Sequence, residues 1–293
     1  MKTFSVAFVL AALIFSRAAA QVSVEVTMDQ DQFLPGEALP VAVKIINRSG
    51  QSIHLGATPD WLTFNVESSD SFVVTKLAEV PVLGEFDLES SQLGIKRADL
   101  QPYFIVNKPG RYKITATLRI KDWSVSIPSA PKFFDVINGA DLWTQDFGLP
   151  PAAGVTNSPP EVRKYTLVEA NYLRTQLRLY VRVTDPANAQ VFKVAPLGTL
   201  VSFSHPEAQV DRLSRLHVLW QGGAQAFSYC IIDSDGTILR QEVYDYFTTR
   251  PRLDVNVNGD IIVAGGTKRL QSADYPAVKS PVELPPPSAP VKP

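Results

Sequence analysis

The sequence predicts an all-β protein of two modules, a β-sandwich followed by a second β-rich module of repeated hairpins. Three observations predict it. Apolar residues recur every second position instead of at helical spacing, turn residues separate the apolar runs, and one short strand motif returns at a fixed interval.

The leader comes first. Lys2 supplies a basic start, Ser5 to Phe15 is almost wholly apolar, and Ala18-Ala19-Ala20 offers small residues at a cleavage site. Residues 1–20 therefore read as a signal peptide cut near Ala20, before Gln21, which places the mature chain in the periplasm or outside the cell. The apolar run is shorter than the roughly 18 residues of a membrane helix, and no later segment matches it, so no transmembrane segment is expected. Removing the leader lowers 28 basic residues to 26 against 29 acidic ones, a net charge of −3. That balance argues against a nucleic-acid partner, which would need a clustered basic face.

Residues 21–138 read as the sandwich. Val22, Val24, Val26 and Met28 alternate with Ser23, Glu25, Thr27 and Asp29, so one face of the strand is apolar and the other is wet. Pro35-Gly36 turns the chain, Leu39, Val41, Val43 and Ile45 continue the period, and Asn47-Arg48-Ser49-Gly50 supplies the next turn. Tyr112, Ile114, Ala116, Leu118 and Ile120 form the longest unbroken apolar face. About seven such runs, with no helical period, are the pattern of a sandwich. The Phe33-Leu34-Pro35-Gly36-Glu37 segment, the strand ending in Asn47-Arg48-Ser49-Gly50, and the run from Lys108-Pro109-Gly110-Arg111-Tyr112 to Thr117 resemble bacterial secreted immunoglobulin-like domains. The resemblance implies an immunoglobulin-like β-sandwich with a tyrosine corner at Tyr112, and it carries no activity.

Residues 139–160 read as a Pro-rich linker, with Leu142, Trp143 and Phe147 expected to dock on a module. In residues 161–273, Arg178-Leu179-Tyr180-Val181, Arg215-Leu216-His217-Val218 and Arg252-Leu253-Asp254-Val255 share an Arg-Leu-x-Val pattern 37 residues apart. Equal spacing weakly resembles propeller-type β repeats, although three copies are too few for a closed ring of about four blades. A compact sheet of duplicated hairpins and chance recurrence among valine-rich strands remain open beside it. Residues 274–293, rich in proline, read as a disordered tail.

Chemistry is sparse in the sequence. Gly-x-Ser-x-Gly and His-Glu-x-x-His are missing, and His54, His205 and His217 fit no local catalytic template. Cys230 is the single cysteine, expected as a buried strand residue, so packing alone must hold the fold. Asp233-Ser234-Asp235-Gly236 and Asn258-Gly259-Asp260 read as hairpin turns, and Asn47-Arg48-Ser49 as a glycosylation acceptor pattern on a turn. No catalytic, cofactor-binding or metal residue is assigned, and no cofactor is expected. Trp123 and Trp61 are the candidate ligand-stacking residues: Trp123 falls out of phase with the preceding strand, and Trp61 either packs under the sandwich or lines its rim. The sequence favours a non-enzymatic binding or scaffold protein with an unknown protein or glycan partner. The alternatives are a carbohydrate-active enzyme or its accessory subunit, with a carboxylate site in the second module, and a subunit of an envelope assembly.

Overall fold

The computed structural model describes residues 22–70, 72–149 and 161–270. Its regular structure is all-β, apart from a short 3-10 turn at Gln101–Tyr103. The leader and the tail expected at 274–293 lie outside the described residues.

Ten strands build the first module: β1 (Val22–Thr27), β2 (Gln32–Phe33), β3 (Pro40–Asn47), β4 (Ile53–Leu55), β5 (Leu62–Ser68), β6 (Phe86–Leu88), β7 (Leu93–Asp99), β8 (Gly110–Ile120), β9 (Val125–Pro128) and β10 (Lys132–Val136). One sheet has the order β1-β3-β7, another β2-β10-β8-β5 with β9 beside β8, and β4 pairs with β6. The alternation seen in the sequence decides which side of each strand is inside. Val22, Val24 and Val26 face Val43 and Ile45, while Tyr112 through Ile120 bury every second residue, and all of them join one core. Tyr112 stacks on Phe134 with ring centroids 5.3 Å apart, and its hydroxyl donates to the Lys108 carbonyl at 2.6 Å. That bond ties the long strand β8 to the loop that precedes it.

The second module starts earlier than expected. Residues 140–148, read from sequence as linker, form β11 (Ala140–Gly148), which pairs along its length with β12 (Val162–Tyr172). Proline content misled the reading, because the prolines cluster at 150–160, outside the described residues, while the aromatic part before them is strand. Leu142, Trp143 and Phe147 do pack on the core of this module. β13 (Gln176–Thr184) and β14 (Val191–Thr199) complete a sheet of order β11-β12-β13-β14. A second sheet follows, formed by β15 (Glu207–Val210), β16 (Leu216–Gln221), β17 (Ala226–Ile232), β18 (Ile238–Asp245) and β21 (Thr267–Lys268) in that order. β19 (Arg252–Val255) and β20 (Ile261–Ala264) make a separate two-stranded hairpin.

These layers stack through their apolar faces. Leu179, Val181 and Val183 of the first sheet meet Leu216, Val218, Trp220, Cys230 and Ile232 of the second in one buried cluster. The opposite face of the second sheet contributes Leu219, Phe227 and Tyr229, which pack against Leu253, Ile261 and Val263 of the β19–β20 hairpin. Each fully buried aliphatic side chain at such a face is worth about 1.5–3 kcal/mol. The two modules also touch: Leu34 and Ile137 pack with Val168, Ala170, Tyr180 and Val194.

The three Arg-Leu-x-Val copies each lie on the leading strand of a hairpin, β13–β14, β16–β17 and β19–β20. Their places within the sheets are not equivalent, being third of four strands, second of five and first of two. Hairpin chemistry, and not a common sheet position, is what the copies share. The Asp233–Gly236 turn is a hairpin turn as expected: Asp233 Oδ1 accepts from the backbone of Asp235 at 3.0 Å and Thr237 at 2.7 Å. Gly236 takes φ +81°, and a Cβ there would stand 2.7 Å from Lys193 Cβ, so both backbone and packing require glycine.

Replacing Tyr112 with Phe keeps the stacked ring and deletes the bond to Lys108. Chemical denaturation of Tyr112→Phe should show a loss of about 1 kcal/mol; unchanged stability would mean that the bond contributes nothing net.

Candidate functional site

Sheet pairing sets up the site. On the outer face of the second sheet, cross-strand partners place His217 and Leu219 of β16, Phe227, Tyr229 and Ile231 of β17, and Arg240, Glu242 and Tyr244 of β18 on the same side. The β19–β20 hairpin covers the part of this face that carries Leu219 and Phe227. The remaining part floors a cleft of about 550 Å³ whose walls include Asp211, Arg212, Arg215, Arg240, Gly259 and Asp260. A larger cleft of about 610 Å³ on the outer face of β1-β3-β7 has no buried polar side chain in its lining.

Asp211 organises the floor. Its Oδ1 accepts from the backbone of Leu213 and Arg215, both at 2.9 Å, and so closes the β15–β16 turn. Its Oδ2 accepts from Arg215 Nε at 2.7 Å and Nη2 at 2.6 Å, and lies 3.2 Å from His217 Nε2. Burial alone would raise the Asp211 pKa, yet the bonds from Arg215, His217 and Leu213 outweigh it and hold the carboxyl below its ordinary range. An ionised carboxylate only accepts, so Nε2 carries the proton and donates. Nδ1 then accepts from the Tyr229 hydroxyl at 2.7 Å.

His217 is 3 % exposed, and burial lowers its pKa more than the Asp211 bond raises it, so the ring is neutral near pH 7. Burial also pushes Tyr229 up to about 12. Beside them, Glu242 is 5 % exposed. Arg240 and Lys268 reach its Oε1 at 2.5 and 2.7 Å, and the Tyr244 hydroxyl donates to Oε2 at 2.9 Å. Desolvation opposes the charge on Glu242, but the Lys268, Tyr244 and Arg240 bonds win and its pKa is lowered. The two carboxylates sit in separate clusters, Asp211 with Arg215 and His217 and Glu242 with Arg240, Lys268 and Tyr244, and both nitrogens of the neutral His217 imidazole are engaged.

No family model and no curated protein matches this chain. Among solved structures, that of Spo0M, a sporulation control protein from Bacillus subtilis, is similar at 8 % identity with a TM-score of 0.30. The match covers 69 % of this chain and 79 % of that one. A likeness at that level carries no argument about this chain.

The candidate stacking residues do not meet at this cleft. Trp61 is 2 % exposed, donates from Nε1 to the Val82 carbonyl at 2.8 Å and packs edge-on against Phe86, so it offers no face to a ligand. Trp123 sits in the β8–β9 turn, half-buried against the first core, because the turn at Lys121–Ser124 folds the ring back over it. The most exposed aromatics among the described residues are instead Phe203 and Phe247, on loops that bond to the 221–225 connection through Val201 to Gln221 and Tyr246 to Gln225. Sequence period placed His217 opposite Leu216 and Val218 correctly, and no linear signal paired it with Asp211. Cys230 is fully buried and desolvation pushes its thiol up to about 12, so it stays a thiol. Asn47 is fully buried and its Nδ2 donates to the carbonyls of Gln51 and Leu88, which removes it as a glycan acceptor in the folded chain. Among the described residues no group of His, Cys, Asp and Glu could hold a metal ion. No helix among them is long and apolar enough to cross a membrane.

His54 behaves in the opposite sense to His217. Its nitrogens lie 2.6 Å from Asp87 and 2.5 Å from Glu85, and these bonds raise its pKa on an exposed surface. The two histidines therefore contribute to stability in opposite pH windows. The His54 contribution is full below its ordinary value of 6.5 and is lost as pH rises through the raised folded value. The His217 contribution is full above 6.5 and is lost as pH falls through the lowered folded value. Titration of the ring signals by NMR should place His54 above and His217 below 6.5, and Asp87→Asn should bring His54 down while leaving His217 where it is. Equal values for the two rings would refute the assignment.

Proposed function

We propose that this chain is a secreted or periplasmic, non-enzymatic binding or scaffold protein. In this reading the first module, of the immunoglobulin-like kind, is a spacer or recognition unit, and the second module presents the binding surface. The observation that carries it is that Asp211, Glu242 and both nitrogens of His217 are already engaged by internal partners. A hydrolase acting through two carboxyl groups needs one of them held protonated near neutral pH. Asp211 and Glu242 are both held ionised by cationic and hydroxyl donors, and His217 has no nitrogen left for a substrate proton. Glu37, whose pKa is raised, stands at the module junction with its Oε2 accepting from the Leu34 backbone at 2.8 Å, away from the cleft.

Rigid support around an open surface is also what a binding site needs. The cleft floor rests on the largely buried strands β16 and β17, and the walls include turns closed by Asp211 and by Asn256, whose Oδ1 accepts from the backbone of Asn258 and Asp260 at 2.9 Å. The Tyr112 hydroxyl bond to Lys108 supports the immunoglobulin-like reading of the first module.

Two measurements test the proposal. Intact mass and N-terminal sequencing of the chain expressed with its leader in a bacterial host should find a periplasmic or secreted protein beginning at Gln21. A cytosolic chain that keeps Met1 would overturn the location. A glycan array and a pull-down with the mature protein should retain a partner, and turnover of glycoside substrates, abolished by Glu242→Gln, would overturn the non-enzymatic reading.

A further inference from the structure

We propose that the cleft between the second sheet and the β19–β20 hairpin is a binding site for an oxyanion, a carboxylate carried on a ligand the size of a sugar or an amino acid. This deepens the binding reading above and rests on it.

The charge inventory comes first. Arg212, Arg215 and Arg240 line the cleft together with two carboxylates, Asp211 and Asp260. Adding the adjoining pair of Glu242 and Lys268 leaves the balance unchanged, at one net positive charge. Asp211 and Glu242 are turned to internal donors, so their negative charge is already compensated within the walls. Asp260 stays among the lining groups, so the cleft carries one net positive charge, and its excess of donors comes from the three guanidinium groups.

Geometry makes the arginines donors to something else. Arg215 directs Nε and Nη2 at Asp211, and Arg240 directs Nε and Nη2 at Glu242, so in each the second terminal nitrogen, Nη1, has no hydrogen-bond partner among the described residues. Their side chains are 38 % and 57 % exposed. Arg212 has no carboxylate partner among the described residues. Its Nη2 donates to the Asn258 carbonyl at 2.6 Å, which lays the guanidinium across Gly259, where a Cβ would stand 2.7 Å from that nitrogen. Three planar forks thus line one opening, two of them braced by carboxylates, the buried Glu242 and the partly buried Asp211. Braced guanidinium groups lose little freedom on binding and match the planar, two-oxygen shape of a carboxylate. The neutral His217 and the protonated Tyr229 beneath add no negative charge to repel it. A cleft of about 550 Å³ falls within the usual range of small-molecule sites.

The test uses the mature chain and three probes followed by amide and arginine side-chain NMR: D-galacturonate, the neutral D-galactose, and inorganic phosphate. With galacturonate at about 10 mM, the scale on which a single millimolar contact saturates, signals of residues 211–217 and 259–261 should shift, and the shifts should shrink as sodium chloride is raised. Galactose should leave them in place. Shifts with phosphate alone would replace the carboxylate by a tetrahedral anion and overturn the ligand class. Arg212→Gln and Arg240→Gln should each weaken galacturonate binding at least about tenfold, while Arg252→Gln, on the hairpin but outside the cleft, should not. No movement of cleft signals with any probe, or equal loss in all three variants, would sink the proposal. A macromolecular partner that Arg212→Gln and Arg240→Gln still retain in the pull-down would do so too, yet leave the broader binding reading intact.

Discussion

The second sheet of the C-terminal module has layers packed against both faces, and the rest of the module depends on how unequally those faces are covered. One face meets a four-stranded sheet through an apolar cluster, with Leu216, Val218, Trp220, Cys230 and Ile232 in contact. The other meets a hairpin of two short strands, which is too small to cover it. Where cover ends, the side chains change from Leu219 and Phe227 to His217, Arg240 and Glu242. The cleft is therefore a consequence of layer size, and its polarity follows from the need to satisfy or hydrate every group there.

That need explains the internal pairing. A half-buried sheet face tolerates an ionised carboxylate only if donors converge on it, and Asp211 and Glu242 each receive several. The turn donors to Asp211 also fix the β15–β16 connection, so one side chain serves both the turn and the ionic cluster. Holding the carboxylates ionised keeps the arginines in place, and holding His217 neutral keeps the cleft from gaining a further charge near pH 7. Catalytic proton transfer and rigid anion recognition make opposite demands on such groups.

The junction of the modules follows the same logic on a smaller scale. Leu34 and Ile137 enter a patch formed by Val168, Ala170, Tyr180 and Val194, and the Leu173 backbone donates to Gln32. Within the patch lies Glu37, capped by Leu34 and Gln30, with burial raising its pKa against those bonds and against Arg178. Apolar contact joins the modules, and a polar cap closes the turn that makes the contact.

Alternation along the chain was enough to determine the all-β class, the inward faces of β1, β3 and β8, the burial of Cys230 and the placement of Tyr112, because the two-residue period of a strand is a local property. It also put His217 on the opposite side from its neighbours. Local pattern could not say what covers each face, since the partner sheet comes from tens of residues away. Hence β11 was hidden behind the prolines that follow it, Asn47 looked like a surface turn residue although its amide is buried between Gln51 and Leu88, and the choice of Trp61 between core and rim waited on Val82, which accepts its only donor. The meeting of Arg212, Arg215 and Arg240 over Asp211 and Glu242 was decided by tertiary structure alone, because three connections and one register had to converge before any of those charges could be neighbours.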